Sequence, residues 1–201
     1  FEIHGGGRLD TRAFLDASRD FFKVRGFYET CDAEAHPGSP RHIWCEGAAG
    51  LLSGKYGPHR CAKGEILTIR AAGWDEKHIR VGAGGWLVPL GAGKFKAGST
   101  YDWDQLDETP TEAGKTRVEG IIRRLGGGDF EILHHEAAVR PILRRSEPLI
   151  GPVPGGWMFN ALGSKGSLYA PGMARKLACW IIDGVEPEPG VDYRFFAAAR
   201  D

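Results

Sequence analysis

Short apolar runs separated by glycine clusters fill the middle of the chain, and they constrain its fold more than any other feature. The runs are GEILTIR at residues 64–70, HIRV at 78–81, WLVPL at 86–90 and KFKAGSTY at 94–101. Their lengths and their β-branched and aromatic residues are typical of strands, and glycine gives the backbone freedom that tight turns require. Glycine makes up 30 of the 201 residues without collagen-like or linker-like periodicity. We therefore predict an antiparallel meander in this region.

Helical spacing precedes the meander. Asp10 is suited to an N-cap position, and Gly26 is suited to a helix stop. Between them, apolar residues recur with helical spacing at Phe14, Ala17, Phe21 and Val24. A helix is therefore predicted between Asp10 and Gly26.

Helical signals also follow the meander. Thr109-Pro110-Thr111-Glu112 combines a capping box with proline at the first helical position, and Gly126 ends the apolar face that follows. Another helix is predicted from about Pro171 to Asp183. Further strands are predicted at residues 41–45, 130–139 and 157–162. The fold class is therefore α/β with mixed α+β character.

The composition excludes several classes of protein. Lys plus Arg and Asp plus Glu number 26 each, so the basic excess of a non-specific nucleic-acid binder is absent. No apolar run approaches the ~20 residues of a membrane span. The four cysteines form no CxxC pair and no zinc spacing, so we predict reduced, mostly buried thiols in a cytoplasmic protein. The chain begins with Phe1 and has no recognisable signal peptide, so a processed or truncated start is expected.

The junction between the strand at 157–162 and the last helix is a candidate ligand site. Gly163-Ser164-Lys165-Gly166 would point backbone N–H groups and a lysine charge at whatever lies in front of the helix. A phosphate would suit this position, and so would an electron-rich ring that gains negative charge on reduction. A plain tight turn with a surface lysine explains the pattern equally well, and the P-loop spacing is absent.

Arg140 is a second candidate. It ends an apolar strand and is fixed in an extended conformation before Pro141, where its guanidinium could clamp a carboxylate. An ion pair with one of the acidic residues is equally compatible with the sequence. His134 and His135 adjoin it but face opposite ways along a strand, and a structural role is favoured for both. The cluster of Asp102, Asp104 and Asp107 lacks the spacing of a calcium loop, and no G-x-S-x-G frame surrounds Ser164.

Four stretches in series carry a family resemblance. They are KGEILTIR, WLVPLGAGKFKAGSTYDWDQLDETPT, HEAAVRPILRRSEPLIGPVP and FNALGSKGSLYAPGMARKLA. In order, spacing and residue type they resemble the D-amino-acid oxidase/glycine oxidase family of FAD-dependent oxidoreductases, from about Gly5 to Phe196. The resemblance implies an incomplete FAD-binding α/β sheet interleaved with an antiparallel substrate domain. Residues 4–50 and 139–201 would belong to the FAD-binding domain, and residues 51–138 to the substrate domain.

The resemblance also implies site residues. The segment IWCEGAAG resembles a glycine-ended strand that faces the flavin, which makes Gly47 and Ala48 candidate cofactor contacts. The segment Gly163, Ser164, Lys165, Gly166 and Ser167 matches the loop whose amides meet the flavin pyrimidine ring. Arg140 matches the arginine that holds a substrate carboxylate, and Trp86 falls at a pocket position where some members have tyrosine. The implied activity is oxidation of a C–N bond in a small amine or amino acid, with hydride transfer to FAD and no side-chain base.

The sequence departs from the family pattern in one major respect. The GxGxxG fingerprint has no counterpart, and the similar run Gly82-Ala83-Gly84-Gly85 lacks its last glycine and precedes a strand. The chain is therefore expected to be the C-terminal part of a flavoenzyme and to be inactive by itself. Two alternatives stay open: a non-catalytic folded remnant that acts as an interaction module, and a flavin enzyme acting on modified transfer-RNA nucleosides.

Overall fold

The computed structural model of the chain describes residues 2–32, 41–143 and 147–198. Its helices are α1 (Thr11–Val24), α2 (Gly47–Leu52), α3 (Glu112–Leu125), α4 (Gly166–Asp183) and α5 (Tyr193–Ala198). Its strands are β1 (Ile43–Trp44), β2 (Ala62–Arg70), β3 (Arg80–Gly82), β4 (Gly85–Gly91), β5 (Lys94–Gly98), β6 (Glu131–Arg140), β7 (Leu149–Val153) and β8 (Gly156–Asn160). A short 3₁₀ turn, Gly163–Lys165, precedes α4. The mixed α/β class is confirmed.

The chain forms two compact units that each combine separate segments. One unit contains residues 46–147 and 161–164, and the other contains residues 1–45, 148–160 and 165–201. We call them the five-stranded unit and the three-stranded unit, after the sheet that each contains. Their identification with substrate and FAD-binding domains stays a prediction.

The five-stranded sheet has the order β3-β4-β5-β2-β6 and is antiparallel throughout. The predicted meander is confirmed for β3, β4 and β5. Strand β2 extends the sheet beyond the meander, and β6 pairs with β2 along nearly its whole length, from Ala62 opposite Arg140 to Arg70 opposite Glu131. One face of this sheet packs against α3. The core residues between them are Leu67, Ile69, Leu87, Phe95, Ala97, Val118 and Ile122.

Helix α3 begins two residues later than the sequence predicts. The capping box placed the N-cap at Thr109, but the observed N-cap is Thr111, whose side chain accepts a hydrogen bond from the Gly114 amide. The cause is Glu65, which is buried in β2. Its carboxylate accepts hydrogen bonds from the backbone N–H of Thr111 (2.8 Å) and from the Thr111 hydroxyl (2.7 Å). This tertiary contact determines the residue at which the helix starts, and the local sequence pattern did not predict it.

The three-stranded sheet has the order β1-β8-β7, with β1 parallel to β8 and β8 antiparallel to β7. Gly156 permits the parallel contact, because a β carbon at that position would lie 2.3 Å from the carbonyl oxygen of His42. The Trp157 amide donates to that same carbonyl at 2.7 Å. The core of this unit consists of Ile150, Met173, Leu177 and Trp180, contributed by β7 and α4.

Two elements differ from the sequence prediction. Strand β7 was not predicted; it contains Pro152 and lies at a sheet edge, where proline is tolerated. Helix α4 begins at Gly166 rather than near Pro171, which lies inside the helix.

The cysteines and helices complete the description. Cys61 is buried and Cys179 is partly buried, but Cys31 and Cys45 are exposed, so the expectation of mostly buried thiols was wrong for these two. All four are free thiols. Within the described ranges, no helix combines the length and apolar character needed to cross a membrane. The same ranges contain no cluster of three metal-binding side chains.

Candidate functional site

The five-stranded sheet has one covered face and one partly open face. Side chains alternate between the faces along each strand, and directly paired residues share a face. On β2, Ala62 and Ile66 are four residues apart and therefore share a face. Arg140 is paired with Ala62. Trp86 is paired with Gly98, which is paired with Ile66, so Arg140 and Trp86 lie on one face. This face is opposite to the one that packs against α3. The two candidate substrate-binding residues, Arg140 and Trp86, therefore lie on the same face of the sheet, and their roles in binding stay a prediction.

The Arg140 guanidinium lies flat across the sheet. Its Nη2 donates a 2.7 Å hydrogen bond to the Ser99 hydroxyl, and its Cζ lies 4.1 Å from the centre of the Tyr101 ring. It occupies the space above Gly64, where a β carbon would be 2.0 Å from Nη2 and 2.3 Å from Nη1. Nη1 is shielded from solvent and has no hydrogen-bond partner among the described residues.

The charge of Arg140 is not neutralised locally. No acidic side chain in the described ranges forms an ion pair with it, so the alternative of a structural ion pair finds no support there. Burial lowers the pKa of Arg140, and the neighbouring Tyr101 acts in the opposite direction. Because arginine stays protonated throughout the physiological range, the open face holds a partly desolvated cation whose Nη1 has no hydrogen-bond partner among the described residues.

Trp86 approaches the same place along the same face of the sheet, from strand β4. Its Cζ2 would lie 3.2 Å from a β carbon on Gly98, so its ring extends over that glycine. Trp86 and Arg140 thus converge on two adjacent residues, Gly98 and Ser99. A cavity shared by the two side chains stays a prediction. A cavity of about 420 Å³ elsewhere in this unit is lined by Ser99 and by α3 residues but by neither Trp86 nor Arg140.

The two histidines face opposite ways, as predicted. His134 is exposed on the open face and lies 3.7 Å from Glu136. His135 lies on the covered face with its Nε2 2.8 Å from a carboxylate oxygen of Glu65. His135 is therefore part of the structural cluster at the start of α3, in agreement with the structural role favoured by the sequence.

The predicted cofactor loop begins beside Arg140. Gly163 has a left-handed backbone (φ +58°), and its amide donates to the carbonyl of Pro141 at 3.0 Å. Ser164 and Lys165 are exposed, and Gly166 and Ser167 form the first turn of α4. No side chain caps the start of α4. The segment therefore offers backbone N–H groups and a lysine ammonium at the N-terminal end of a long helix.

Gly47 and Ala48 do not end a strand. Strand β1 covers only Ile43–Trp44, and Gly47 opens the short helix α2, which contacts β6. Gly50 lets this helix form, because a β carbon there would lie 2.6 Å from the β carbon of Glu46. The expectation of a glycine-ended strand was wrong, and a cofactor role for Gly47 and Ala48 stays a prediction.

The sequence did not single out three residues around Arg140. Gly64, Ser99 and Tyr101 come from other parts of the chain, and Ser99 is 41 residues from Arg140. Two of them stand in the run KFKAGSTY and the third in GEILTIR, and only the pairing of β6 and β5 with β2 brings them to the guanidinium. No local pattern marks such a contact.

The chain is similar to known FAD-dependent oxidoreductases. The family profile described as DAO, FAD dependent oxidoreductase, matches residues 5–180. Glycine oxidase of Pseudomonas aeruginosa is 28% identical over 130 residues, which are 62% of this chain and 35% of that protein.

Solved structures show the same fold. The iminodiacetate oxidase of Chelativorans sp. BNC1 matches with a TM-score of 0.62 and 22% identity, over 74% of this chain and 43% of that one. The L-proline dehydrogenase of P. horikoshii matches with a TM-score of 0.65 and 18% identity, over 78% of this chain and 47% of that one. The chain thus spans less than half the length of each of these three relatives.

Proposed function

The chain belongs to the DAO family of FAD-dependent oxidoreductases, and on that premise we propose that it takes part in oxidising a C–N bond of a small amine or amino acid. Glycine oxidase, iminodiacetate oxidase and L-proline dehydrogenase, which it resembles, are named for substrates of this kind. The five-stranded unit would be the substrate-binding domain. The three-stranded unit would be part of the FAD-binding domain.

The proposal rests on the burial and the hydrogen-bond partners of the Arg140 guanidinium. A guanidinium that is partly desolvated, has no acidic partner among the described residues and keeps an unused Nη1 is suited to binding a carboxylate. Trp86 on the same face would provide an apolar wall beside it. We therefore propose that the substrate is a carboxylate-bearing amine, oriented by Arg140.

The residues present fit the pyrimidine end of a flavin. Uncapped N–H groups at the start of α4, with Lys165 beside them, form a donor set suited to carbonyl oxygens and to developing negative charge. Gly163 to Ser167 would hold this part of FAD. The chemistry that FAD supplies when bound is acceptance of a hydride from the carbon next to nitrogen, which leaves an imine that water hydrolyses. No side-chain base is assigned, since a neutral amine needs none.

The test is flavin reduction without oxygen in the FAD-loaded longer flavoenzyme of which this chain is expected to be the C-terminal part, because the chain by itself is expected to be inactive. Glycine and sarcosine should reduce the flavin more readily than methylamine and dimethylamine, their counterparts without a carboxylate. Arg140→Met should raise the half-saturating concentration of glycine and sarcosine by roughly 10- to 100-fold, because a charged hydrogen bond is worth about 1.5–3 kcal/mol. The two simple amines should respond much less.

Arg70→Met is the matched control. Arg70 also ends a strand of this sheet, but it is exposed and pairs with Glu131. In this variant, flavin reduction by each of the four compounds should have the same half-saturating concentration as in the unmodified protein. If no amine reduces the flavin of a loaded protein, the proposed function is wrong.

A further inference from the structure

Some residues that contact Arg140 would hold its side chain in place and would not themselves bind substrate. We propose that Gly64 and Ser99 are positioning residues, which fix the guanidinium so that Nη1 is directed to a ligand carboxylate. The proposal rests on the function proposed above and extends it to two positions on neighbouring strands.

Gly64 acts through the absence of a side chain. A β carbon at this position would lie 2.0–2.3 Å from Nη2, Cζ and Nη1 of Arg140, so the three atoms rest together on the glycine backbone. Alanine would push the guanidinium away from the sheet. The flat orientation of the group therefore depends on glycine at residue 64.

Ser99 fixes the rotation of the guanidinium. Its hydroxyl accepts the 2.7 Å hydrogen bond from Nη2, which leaves Nη1 as the nitrogen without a described partner. Arginine has five donors in a rigid planar fork, so holding one end determines where the other end is directed. An arginine without this contact could reach the same position but would lose more conformational freedom on binding a ligand.

Tyr101 covers the group on the open face. Its ring lies against the guanidinium and is itself 42% exposed. Because the ring is not enclosed by the core, it can turn aside to admit a carboxylate to Nη1 while Gly64 and Ser99 keep the guanidinium in place. Movement of the Tyr101 ring would therefore open Nη1 to a carboxylate.

The experiment is a titration of the ¹⁵N-labelled chain with sodium acetate at constant ionic strength. The arginine Nε–Hε and tryptophan indole signals are followed by NMR, and Arg140→Met and Trp86→Phe identify the two residues. Acetamide, which has no charge, is the control ligand. Acetate should shift the Arg140 signal, and acetamide should not.

The variants separate positioning from stability. Ser99→Ala should weaken acetate binding by about tenfold, the size expected for a hydrogen bond to a charged group, and Ser99→Thr, which keeps the hydroxyl, should restore it. Gly64→Ala should weaken binding at least as much. Ser53→Ala is the matched control, since its hydroxyl is hydrogen-bonded to Gly50 within its own turn. Thermal unfolding of each variant verifies that it is folded.

The outcomes distinguish this proposal from the one on which it rests. If Arg140→Met abolishes acetate binding and Ser99→Ala leaves it unchanged, the positioning role is wrong while the carboxylate clamp stands. If acetate does not perturb Arg140 in the unmodified chain, both are wrong. If acetate binding depends on Ser99 but no amine reduces the loaded flavin, the positioning role stands and the oxidase function is wrong.

Discussion

A single buried carboxylate organises the covered side of the five-stranded unit. Glu65 is 3% exposed, accepts two hydrogen bonds from Thr111 and lies 2.8 Å from the imidazole of His135. A buried charge is tolerated when hydrogen bonds and a helix N-terminus compensate for its lost hydration. Glu65 therefore joins β2, β6 and the start of α3.

The two glycines inside α3 should respond oppositely to alanine. A β carbon on Gly114 would lie 2.1 Å from Oε1 of Glu65, whereas one on Gly120 would meet only Arg124, at 3.5 Å. Gly114→Ala should lower the free energy of unfolding by about 1–3 kcal/mol through overpacking. Gly120→Ala should raise it by about 0.5–1 kcal/mol through helix propensity. Urea denaturation measures both, and equal effects would contradict the packing described for Glu65.

Asp107 should contribute to the acid sensitivity of the fold. The buried Lys63 ammonium donates to its carboxylate at 2.7 Å, and this bond, followed by one from the Thr109 amide, lowers the pKa of Asp107. A pKa that is lower in the folded state stabilises the fold above the unfolded-state pKa of about 3.9. That contribution is lost as the pH falls through the folded-state pKa.

The variant Asp107→Asn tests this contribution. It should destabilise the chain at pH 7, because Lys63 loses its charged partner, and it should flatten the loss of stability below about pH 4. The exposed Glu108 offers the control Glu108→Gln. Unfolding free energies between pH 7 and pH 2 decide the matter: parallel profiles for Asp107→Asn and the unmodified chain would refute the prediction.

At the scale of secondary-structure elements, α1 differs from the other long helices. Its N-cap is the predicted Asp10, whose side chain accepts from the Ala13 amide. Its apolar residues recur with the helical spacing seen in the sequence, yet no residue of the helix is buried. Its large apolar residues are between 46% and 86% exposed, namely Phe14, Leu15, Phe21, Phe22 and Val24. Patches of this kind promote association.

Polar replacements on α1 should therefore change association and leave stability nearly unaffected. We expect Phe14→Gln and Phe21→Gln to alter the free energy of unfolding by less than about 0.5 kcal/mol and to reduce concentration-dependent association. Sedimentation velocity and chemical denaturation measure the two effects. The buried control Ile150→Ala should cost about 2–5 kcal/mol. A comparable cost for Phe14→Gln would show that the face of α1 is covered in solution.

At the scale of the whole molecule, the family match confirms the resemblance seen in the sequence, and the match covers residues 5–180. The similar proteins are more than twice as long as the region that they share with this chain.

These 201 residues should bind FAD weakly by themselves. They contain no strand–GxGxxG–helix unit, and in dinucleotide-binding folds that unit provides the helix N-terminus on which the pyrophosphate rests. Titration with FAD, followed by flavin fluorescence, should give a dissociation constant above ~1 μM. Riboflavin, which lacks the pyrophosphate and adenosine, should bind about as well as FAD. Tighter binding of FAD than of riboflavin would reveal a phosphate site that the sequence does not show.

The sequence by itself determined the elements that rest on local chemistry. The glycine-separated runs of the meander, the Asp10 cap and the apolar stripe of α3 all follow from contacts between residues close in the chain. The family resemblance was also a property of the sequence, because it depends on residue order. The sequence identified Arg140 as a candidate site residue. It did not identify the residues that surround Arg140 in the structure.

Only the tertiary structure decided what depends on contacts between distant segments. The N-cap of α3 is Thr111 because folding brings the Glu65 carboxylate to its backbone amide. Glu65 is 46 residues away along the chain, so no local pattern predicts this contact. Which residues surround Arg140 was open in the sequence, since any of 26 acidic residues could have been its partner; among the described residues it contacts Ser99 and Tyr101 instead. The pairing of β6 with β2 placed Gly64 beneath the guanidinium, and the pairing of β5 with β2 placed Ser99 beside it. Such contacts have no local signature, because their energy comes from groups that become neighbours only when the sheet forms.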